Sequence, residues 1–340
     1  MKKLLNVLYV TTPESYLSKD GQNVVVSVNQ EEKFRIPIIN LEGIVMFGYM
    51  GASPGLMRLC ADNGVSLAFL SPSGRFIGRF QGPVRGNVLL RKTQFQIAEN
   101  EERSIHFARL FIAGKIQNYR TILQRFIRDN GGDDELDAVV KSMESSKCAA
   151  LRVNDSSQLI GVEGDAANSY FGVFQKMILH QQEDFGFHGR NRHPPKDKVN
   201  ALLSFVYTLL ANETASALES VGLDPYVGFL HKLRPGRTSL ALDLMEEMRA
   251  YLGDRLVLSL INRKQLTARD FVEAGEGVVL LTDEGRKSVL SAWQKRKAET
   301  IVHPYLEEKI QIGLLPYVQA LLLAKAIRGD NDDYPVFIIH

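Results

Sequence analysis

The chain has 340 residues and a formal net charge of +2, with 45% hydrophobic and 24% charged residues. These values are typical of a globular protein with one large domain or two ordinary ones. No stretch approaches the roughly 18 apolar residues of a membrane span, and no cleavage site follows the apolar run after Lys3. Cys60 and Cys148 lack metal-ligand spacing. We therefore expect a cytoplasmic protein with reduced thiols and no membrane association.

The weak net charge does not identify a partner, because a nucleic-acid-binding protein needs local basic patches and not a basic total. Three candidate patches occur: Arg190-Asn191-Arg192-His193-Pro194-Pro195-Lys196, Lys295-Arg296-Lys297, and the helical series Lys115, Arg120, Arg125 and Arg128. Each patch taken alone is more often an ordinary solvated face.

Residues 1–97 predict a small β-rich domain. Short β-branched or aromatic segments separated by turn residues predict strands at Leu4–Val10, Asn23–Val28, Phe34–Pro37, Gly43–Phe47, Ser66–Leu70 and Gly74–Phe80. Ser71-Pro72-Ser73-Gly74 is typical of a hairpin turn. One amphipathic helix with Leu56 and Leu59 on its apolar face should end at Asn63-Gly64.

Helical periodicity dominates from residue 98 to residue 340. Phe107, Leu110 and Phe111 start a stripe that repeats every 3.6 residues and continues to Ile127. Further helices are predicted at about 136–150, 160–182, 197–217, 238–252, 267–272, 283–299 and 304–327. The fold class is therefore α+β, a small β-rich N-terminal domain (1–97) followed by a larger all-helical C-terminal domain (98–340).

The segment 224–247 has the strongest chemical pattern in the chain. A Pro- and Gly-rich turn presents His231, and the following helix carries Asp243 and Glu246 three residues apart, on one face. Like charges at this spacing repel each other, unless a cation lies between them. The alternative is a solvated acidic face, which is common on helices.

Glu163 is a second candidate because Gly161 and Gly164 flank it at a predicted helix start, in line with the apolar stripe that contains Tyr170. A buried carboxylate without a partner is costly. Glu163 is therefore either paired with a cation or placed at the solvated N-terminal end of its helix, where the helix dipole favours it. Spacing alone favours the second interpretation.

If a metal binds, two carboxylates and one imidazole without a thiolate suit Mg²⁺ or Mn²⁺ better than a closed zinc site. Such a metal suits phosphodiester chemistry, since it polarises a phosphoryl oxygen and activates a water or hydroxyl. Arg237 lies close in sequence and could contact a phosphate.

Taken together, these segments resemble the Cas1 family of CRISPR-associated adaptation endonucleases and integrases. The resemblance is carried by Gly161-Val162-Glu163-Gly164, Asp224-Pro225 with His231, Gly236-Arg237-Thr238-Ser239-Leu240 and Asp243-Leu244-Met245-Glu246. Residues 190–205 also resemble the family's stretch between its first two metal ligands. The resemblance covers nearly the whole chain, and the overall sequence pattern is similar to that of the type I-C branch.

The resemblance implies a metal-dependent DNA endonuclease and integrase that inserts spacers into a CRISPR array. It implies that Glu163, His231 and Glu246 are metal ligands for Mg²⁺ or Mn²⁺, with Asp243 at an adjacent acidic position. Some relatives have aspartate where Glu246 stands, so the third ligand is either Asp243 or Glu246. The implied partners are double-stranded DNA, a second copy of the chain bound through the β domain, a small Cas2 protein, and often a Cas4 exonuclease.

The mechanism that the resemblance implies is attack of a DNA 3′-hydroxyl on a phosphodiester at the repeat border, with water as an alternative nucleophile. Basic residues outside the site, among them Arg190, Arg192, Lys196 and Arg237, are candidates to contact DNA. Two other hypotheses remain. The chain could be a repair nuclease that acts on branched DNA, or a DNA-binding scaffold without catalysis.

Overall fold

A computed structural model describes residues 6–72, 76–80, 82, 88–191 and 194–339. The N-terminal part contains the strands β1 (Asn6–Val10), β2 (Ser15–Asp20), β3 (Asn23–Val28), β4 (Glu31–Pro37), β5 (Leu41–Phe47), β6 (Ser66–Leu70) and β7 (Phe76–Phe80), and one helix, α1 (Pro54–Asn63). The predicted strands are confirmed within a few residues. β2 was missed, because its sequence SYLSKD carries few β-branched or apolar residues.

These strands form two sheets. One has the order β1-β5-β6-β7, parallel for its first three strands and antiparallel at β7, and the other is the antiparallel meander β2-β3-β4. Apolar residues including Leu17, Val24, Ile44 and Leu67 pack between the sheets and α1. Ser53 caps α1, and Gly64 ends it at φ 66°, a left-handed conformation that glycine adopts at low cost. The Ser73-Gly74 half of the predicted hairpin turn lies outside the described residues.

The C-terminal part is dominated by the helices α2 (Val88–Glu99), α3 (Glu101–Asn130), α4 (Asp134–Arg152), α5 (Ser156–Gly172), α6 (Lys198–Ser220), α7 (Ser239–Met248), α8 (Arg255–Asn262), α9 (Asp283–Ala298) and α10 (Leu315–Arg328). Side chains of Asn100, Asp133, Asp155 and Asp197 accept backbone N–H groups at the starts of α3 to α6. Such caps satisfy groups that the helix itself leaves unpaired. The α+β fold class is confirmed.

Two short hairpins also occur in this helical part, β8 (Phe271–Glu273) with β9 (Val279–Leu281) and β10 (Thr300–Val302) with β11 (Lys309–Gln311). The helix predicted at 267–272 is wrong beyond a single 3₁₀ turn at Ala268–Asp270. The helix predicted from residue 304 begins only at Leu315. Glu307, at φ 55°, reverses the chain between β10 and β11, which a continuous helix does not permit.

Arg249–Asp254 form a π-helical turn that joins α7 and α8 into one continuous helix. One large apolar core extends from Phe47 to Ile339 and includes Leu90 and Ile97 of α2. By length and apolarity, α6 is the one helix of the described chain that could cross a membrane, but 56% of its apolar window is buried. Packing in the core accounts for its composition.

Candidate active site

Asp243 organises the turn before α7. Its side chain is fully buried, and its two oxygens accept the backbone N–H groups of Phe229, Leu230 and His231 at 2.6, 3.0 and 3.0 Å. Gly228 leaves room for this carboxylate, since a Cβ there would lie 2.6 Å from Asp243 Oδ2. The loop is therefore wrapped around one anionic group, which satisfies three otherwise unpaired donors.

The same carboxylate orients His231. Nδ1 of His231 lies 2.5 Å from Asp243 Oδ1 and donates to it. This contact leaves Nε2 as the imidazole nitrogen that can accept a proton or bind a cation. A carboxylate behind a histidine fixes the ring and its tautomer, an arrangement common to catalytic and metal-binding histidines.

Lys115, on α3, lies between two glutamates. Its ammonium pairs with Glu163 Oε1 on α5 and with Glu246 Oε2 on α7 at 2.7 Å. The Lys115 side chain is 3% exposed, that of Glu246 4%, and that of Glu163 26%. Two carboxylates from different helices are thus brought together by one buried positive charge.

Glu246 is held in its ionised form. Burial alone would raise its pKa, but the charges of Arg249, Lys115 and His231 outweigh burial and lower the pKa of Glu246 to about 2. Arg249 Nη2 lies 3.1 Å from Glu246 Oε1. Glu246 Oε2 has no hydrogen-bond partner among the described residues, and its ion pair with Lys115 is its main interaction. The site therefore presents an anionic oxygen that suits a cation.

An open cleft of about 500 Å³ lies over this centre. It is lined by Lys115 and Glu163, by the arginines Arg79, Arg190 and Arg249, and by Gly164 and Asn168 of α5. A Cβ at Gly164 would meet nothing within 4 Å, so this part of α5 faces open space. A cleft lined by three arginines, Lys115 and the Glu163 carboxylate suits a polyanionic substrate.

Two of the alternatives considered for the acids are wrong. Helix α5 begins at Ser156, so Glu163 lies two turns inside the helix and pairs with a cation, and is not at the helix start. The acids of α7 do not form a solvated face, because Asp243, Glu246 and Glu247 are all buried. Glu247 lies apart from the cleft and accepts hydrogen bonds from Tyr334 and Gln319.

The basic candidates differ in where they lie. Arg190 lines the cleft, where it donates to Asn200 Oδ1 at 2.5 Å and stacks 5.4 Å from the Tyr207 ring centroid. Arg237 is half-buried in the turn before α7, and Lys196 is exposed. Arg192 lies outside the described residues.

Sequence reasoning missed Lys115 as a member of the site. It was grouped with Arg120, Arg125 and Arg128 as one basic series, but Arg120 pairs with Glu144 and Arg128 with Asp129. The available signal was its apolar surroundings on the helix, Phe111, Ile112, Ile116 and Tyr119, all of which are buried. A lysine on such a stripe needs a buried anion as partner.

The donor set is compatible with a divalent metal, although the described residues contain no group of three His, Cys, Asp or Glu side chains already assembled around one point. Glu163 and Glu246 share a single cation, and Nε2 of His231 remains available. The assignment of Glu163, His231 and Glu246 as ligands stays a prediction.

Comparison with known families decides the affiliation of the chain. Residues 8–295 match the model of the family described as CRISPR associated protein Cas1. The chain belongs to the Cas1 family. Across 99% of its length it is 49% identical to CRISPR-associated endonuclease Cas1 1 of Chlorobaculum tepidum, which it covers to 99%. It is 50% identical to CRISPR-associated endonuclease Cas1 2 of Rhodospirillum rubrum, with 98% of both chains covered.

A further Cas1 relative is the Cas4 exonuclease/Cas1 endonuclease fusion of Geobacter sulfurreducens, 36% identical over 97% of this chain and 60% of the fusion. The family name and these curated relatives support a nuclease enzyme.

Solved structures share the Cas1 fold. A Cas1 protein from Thermotoga maritima superposes with a TM-score of 0.84 at 23% identity, covering 97% of this chain and 99% of that one. A casposase bound to integration product gives 0.84 at 21% identity, with 97% and 93% covered. A Cas6-RT-Cas1–Cas2 complex gives 0.83 at 21% identity, with 99% and 36% covered.

Proposed function

We propose that this Cas1 protein is the metal-dependent endonuclease and integrase of CRISPR adaptation, which inserts spacer DNA into the CRISPR array. The observation that carries the proposal is the Glu163–Lys115–Glu246 bridge, whose Lys115 and Glu163 line a cleft that also holds three arginines, together with the oriented His231. An acid pair that shares one buried cation, beside a cleft suited to phosphates, is the arrangement that metal-assisted phosphodiester chemistry requires.

Glu163, Glu246 and Nε2 of His231 would hold the metal, for which Mg²⁺ and Mn²⁺ suit the oxygen and imidazole donors. When bound, the metal would polarise a phosphoryl oxygen and lower the pKa of the attacking hydroxyl. Of the two candidates for the third ligand, we favour Glu246 over Asp243. Both oxygens of Asp243 already accept hydrogen bonds from the 229–231 backbone and from His231.

The chain's own residues would bind and orient the DNA. Asp243 holds the imidazole of His231 in one tautomer. Arg249 keeps Glu246 ionised, and Arg79 and Arg190 line the cleft where phosphates would lie. The nucleophile would be the 3′-hydroxyl of a DNA fragment, which displaces a 3′-hydroxyl at the repeat border and forms a new phosphodiester. With water as nucleophile, the same step is hydrolysis.

The proposed partners follow from relatives and structural neighbours. A Cas1 solved in a Cas6-RT-Cas1–Cas2 complex supports a Cas2 partner, and the natural fusion of Cas4 to Cas1 supports a Cas4 partner. We propose double-stranded DNA as substrate, a homodimer formed through the β domain, and action in the cytoplasm. Membership of the type I-C branch is part of this proposal.

An integration assay tests the reaction. The protein and its Cas2 partner would be mixed with a fluorescent 3′-OH duplex, a plasmid carrying a CRISPR repeat, and Mn²⁺. We expect label to join the plasmid with the wild type and with Asp165→Asn, which changes an exposed acid on α5, the helix that carries Glu163. Glu163→Gln and Glu246→Gln should lose joining by at least about a hundredfold, since each removes a proposed ligand charge.

Other outcomes would support other functions. Cutting of branched DNA without joining would favour a repair nuclease. Unchanged joining by folded Glu163→Gln and Glu246→Gln would refute the proposed site. DNA binding without any chemistry by the wild type would favour a scaffold.

A further inference from the structure

A second cationic cleft, of about 420 Å³, lies between the C-terminal end of α3, helix α8 and helix α9. It shares no lining residue with the cleft over Glu163. Two of the side chains that line it are acidic, Asp129 and Glu299, and five are basic: Arg125, Arg255, Arg263, Lys295 and Arg296.

The acids do not neutralise this cleft. Asp129 pairs with Arg128, which does not line the cleft, at 3.1 Å, and Glu299 pairs with Arg296 at 2.5 Å. None of the ion pairs found in the described chain involves Arg125, Arg255, Arg263 or Lys295. Four positive charges, carried by α3, α8, α9 and the residue that follows α8, therefore share one cleft without forming an ion pair among the described residues.

The arginines are held together by packing. The guanidinium carbons of Arg255 and Arg296 lie 5.1 and 4.7 Å from the centroid of the Tyr251 ring. Burial lowers the pKa of Arg255, and repulsion from Arg296 and Arg125 lowers it further, while Tyr251 and Glu299 raise it in part. Fixing like charges near one another costs free energy, which a bound anion would offset.

We infer that this cleft binds the phosphodiester backbone of duplex DNA, at a site separate from the one where chemistry takes place. The inference rests on the proposed function for its substrate class. Arginine is well shaped for phosphate, because its planar fork can donate two hydrogen bonds to one group.

The lining of the cleft favours the backbone over the bases. Ser259 and Gln265 add small polar donors beside the cations, a mixture typical of phosphate contacts. Phe126, the aromatic side chain of the lining, packs against the core and does not offer a stacking platform. Binding should therefore be salt-dependent and tolerant of sequence.

The test uses fluorescence anisotropy of a labelled duplex with the full-length protein in EDTA, so that no chemistry takes place. Arg263→Gln/Lys295→Gln removes two exposed cations from the cleft. Arg269→Gln/Lys287→Gln is the matched control, because it removes one exposed arginine and one exposed lysine from outside the cleft. We expect the cleft variant to bind the duplex about tenfold more weakly than the wild type. The slope of log K against log salt concentration should be shallower by about 2, and the control should resemble the wild type.

Equal affinity and equal slope for the two double variants would overturn the inference while leaving the proposed function intact. If the cleft variant bound DNA as the wild type does but lost binding to a polyglutamate peptide, the inference would also be overturned, and the cleft would be indicated to bind an acidic protein partner. A wild type that binds no DNA would overturn the inference and the proposed function together. Melting temperatures equal to that of the wild type would show that both variants fold.

Discussion

At the scale of single residues, each charge in the site is matched by an opposite charge or a hydrogen-bond donor from another element or turn of the chain. Asp243 is matched by backbone donors and one imidazole, while Glu163 and Glu246 are matched by the ammonium of Lys115. Removing one member leaves its partner buried and unpaired, which costs more than the pair contributes. Substitutions here should therefore affect stability and activity together.

Asp243→Asn tests the first arrangement. Asparagine replaces one acceptor oxygen by an N–H donor that would face donors, so we expect the free energy of unfolding to fall by about 2–4 kcal/mol. We also expect nuclease activity to fall, because His231 loses its fixed tautomer. Urea denaturation and a cleavage assay measure the two effects. Wild-type stability of this variant would show that Asp243 does not hold the turn.

Lys115→Met tests the second arrangement. Loss of the ammonium leaves two carboxylates facing each other. In the absence of metal we expect the free energy of unfolding to fall by about 3–5 kcal/mol. Millimolar Mn²⁺ should raise the melting temperature of this variant more than that of the wild type, because the competing cation is gone. Thermal melts with and without Mn²⁺ measure the difference. An identical Mn²⁺ shift in both proteins would contradict this account.

At the scale of elements, two helical glycines have opposite surroundings. A Cβ at Gly114 on α3 would clash with Cγ1 of Val336, in the segment that follows α10, whereas a Cβ at Gly161 on α5 would meet nothing within 4 Å. Gly114 therefore permits close packing that Gly161 does not need.

We expect Gly114→Ala to destabilise the protein by about 1–3 kcal/mol through overpacking. Gly161→Ala should stabilise it by about 0.5–1 kcal/mol, because alanine is the better helix former. Chemical denaturation of both variants provides the measurement, and each variant serves as the other's control. A stabilising effect of Gly114→Ala would mean that the segment around Val336 can move away from the added methyl group without destabilising the fold.

The elements themselves were largely predictable from local sequence. Helix caps such as Asp133 and Asp197, and the stop at Asn63-Gly64, act through neighbouring residues and leave a local signal. The short strands β8 to β11 were missed because each has three residues, too few for a period to emerge. The role of Lys115 could not be predicted from spacing, since Glu163 and Glu246 lie 48 and 131 residues away in the sequence.

At the scale of the whole molecule, Asp254 links several helices in the core. It accepts a hydrogen bond from Tyr207 of α6 and lies near Tyr170 of α5 and Arg249. Burial raises its pKa to about 6, although the tyrosines and Arg249 lower it in part. The folded protein therefore holds the Asp254 proton more tightly than the unfolded chain, whose ordinary value is about 3.9.

The resulting pH dependence has a definite sign. The contribution of protonated Asp254 to the free energy of unfolding is fully present below about pH 4 and is lost as the pH rises through about 6. Asp254→Asn should come close to the wild type in stability near pH 4 and exceed it near pH 8 by at most about 3 kcal/mol. Denaturation curves at both pH values measure the difference. A constant difference between the two proteins would show that Asp254 does not titrate in this range.

The π-helical turn at Arg249–Asp254 has a consequence for how the two clefts are oriented. A π turn holds about one residue more than an α turn, and each residue of a helix rotates the next side chain by about 100°. Arg249, at its start, faces Glu246, and Arg255, just after its end, faces Tyr251 and the second cleft. Deleting one residue between them would rotate all of α8 and carry Arg255 out of its cleft, while Arg249 kept its place. The one extra residue of the π turn thus sets the angle between the candidate active site and the proposed DNA track.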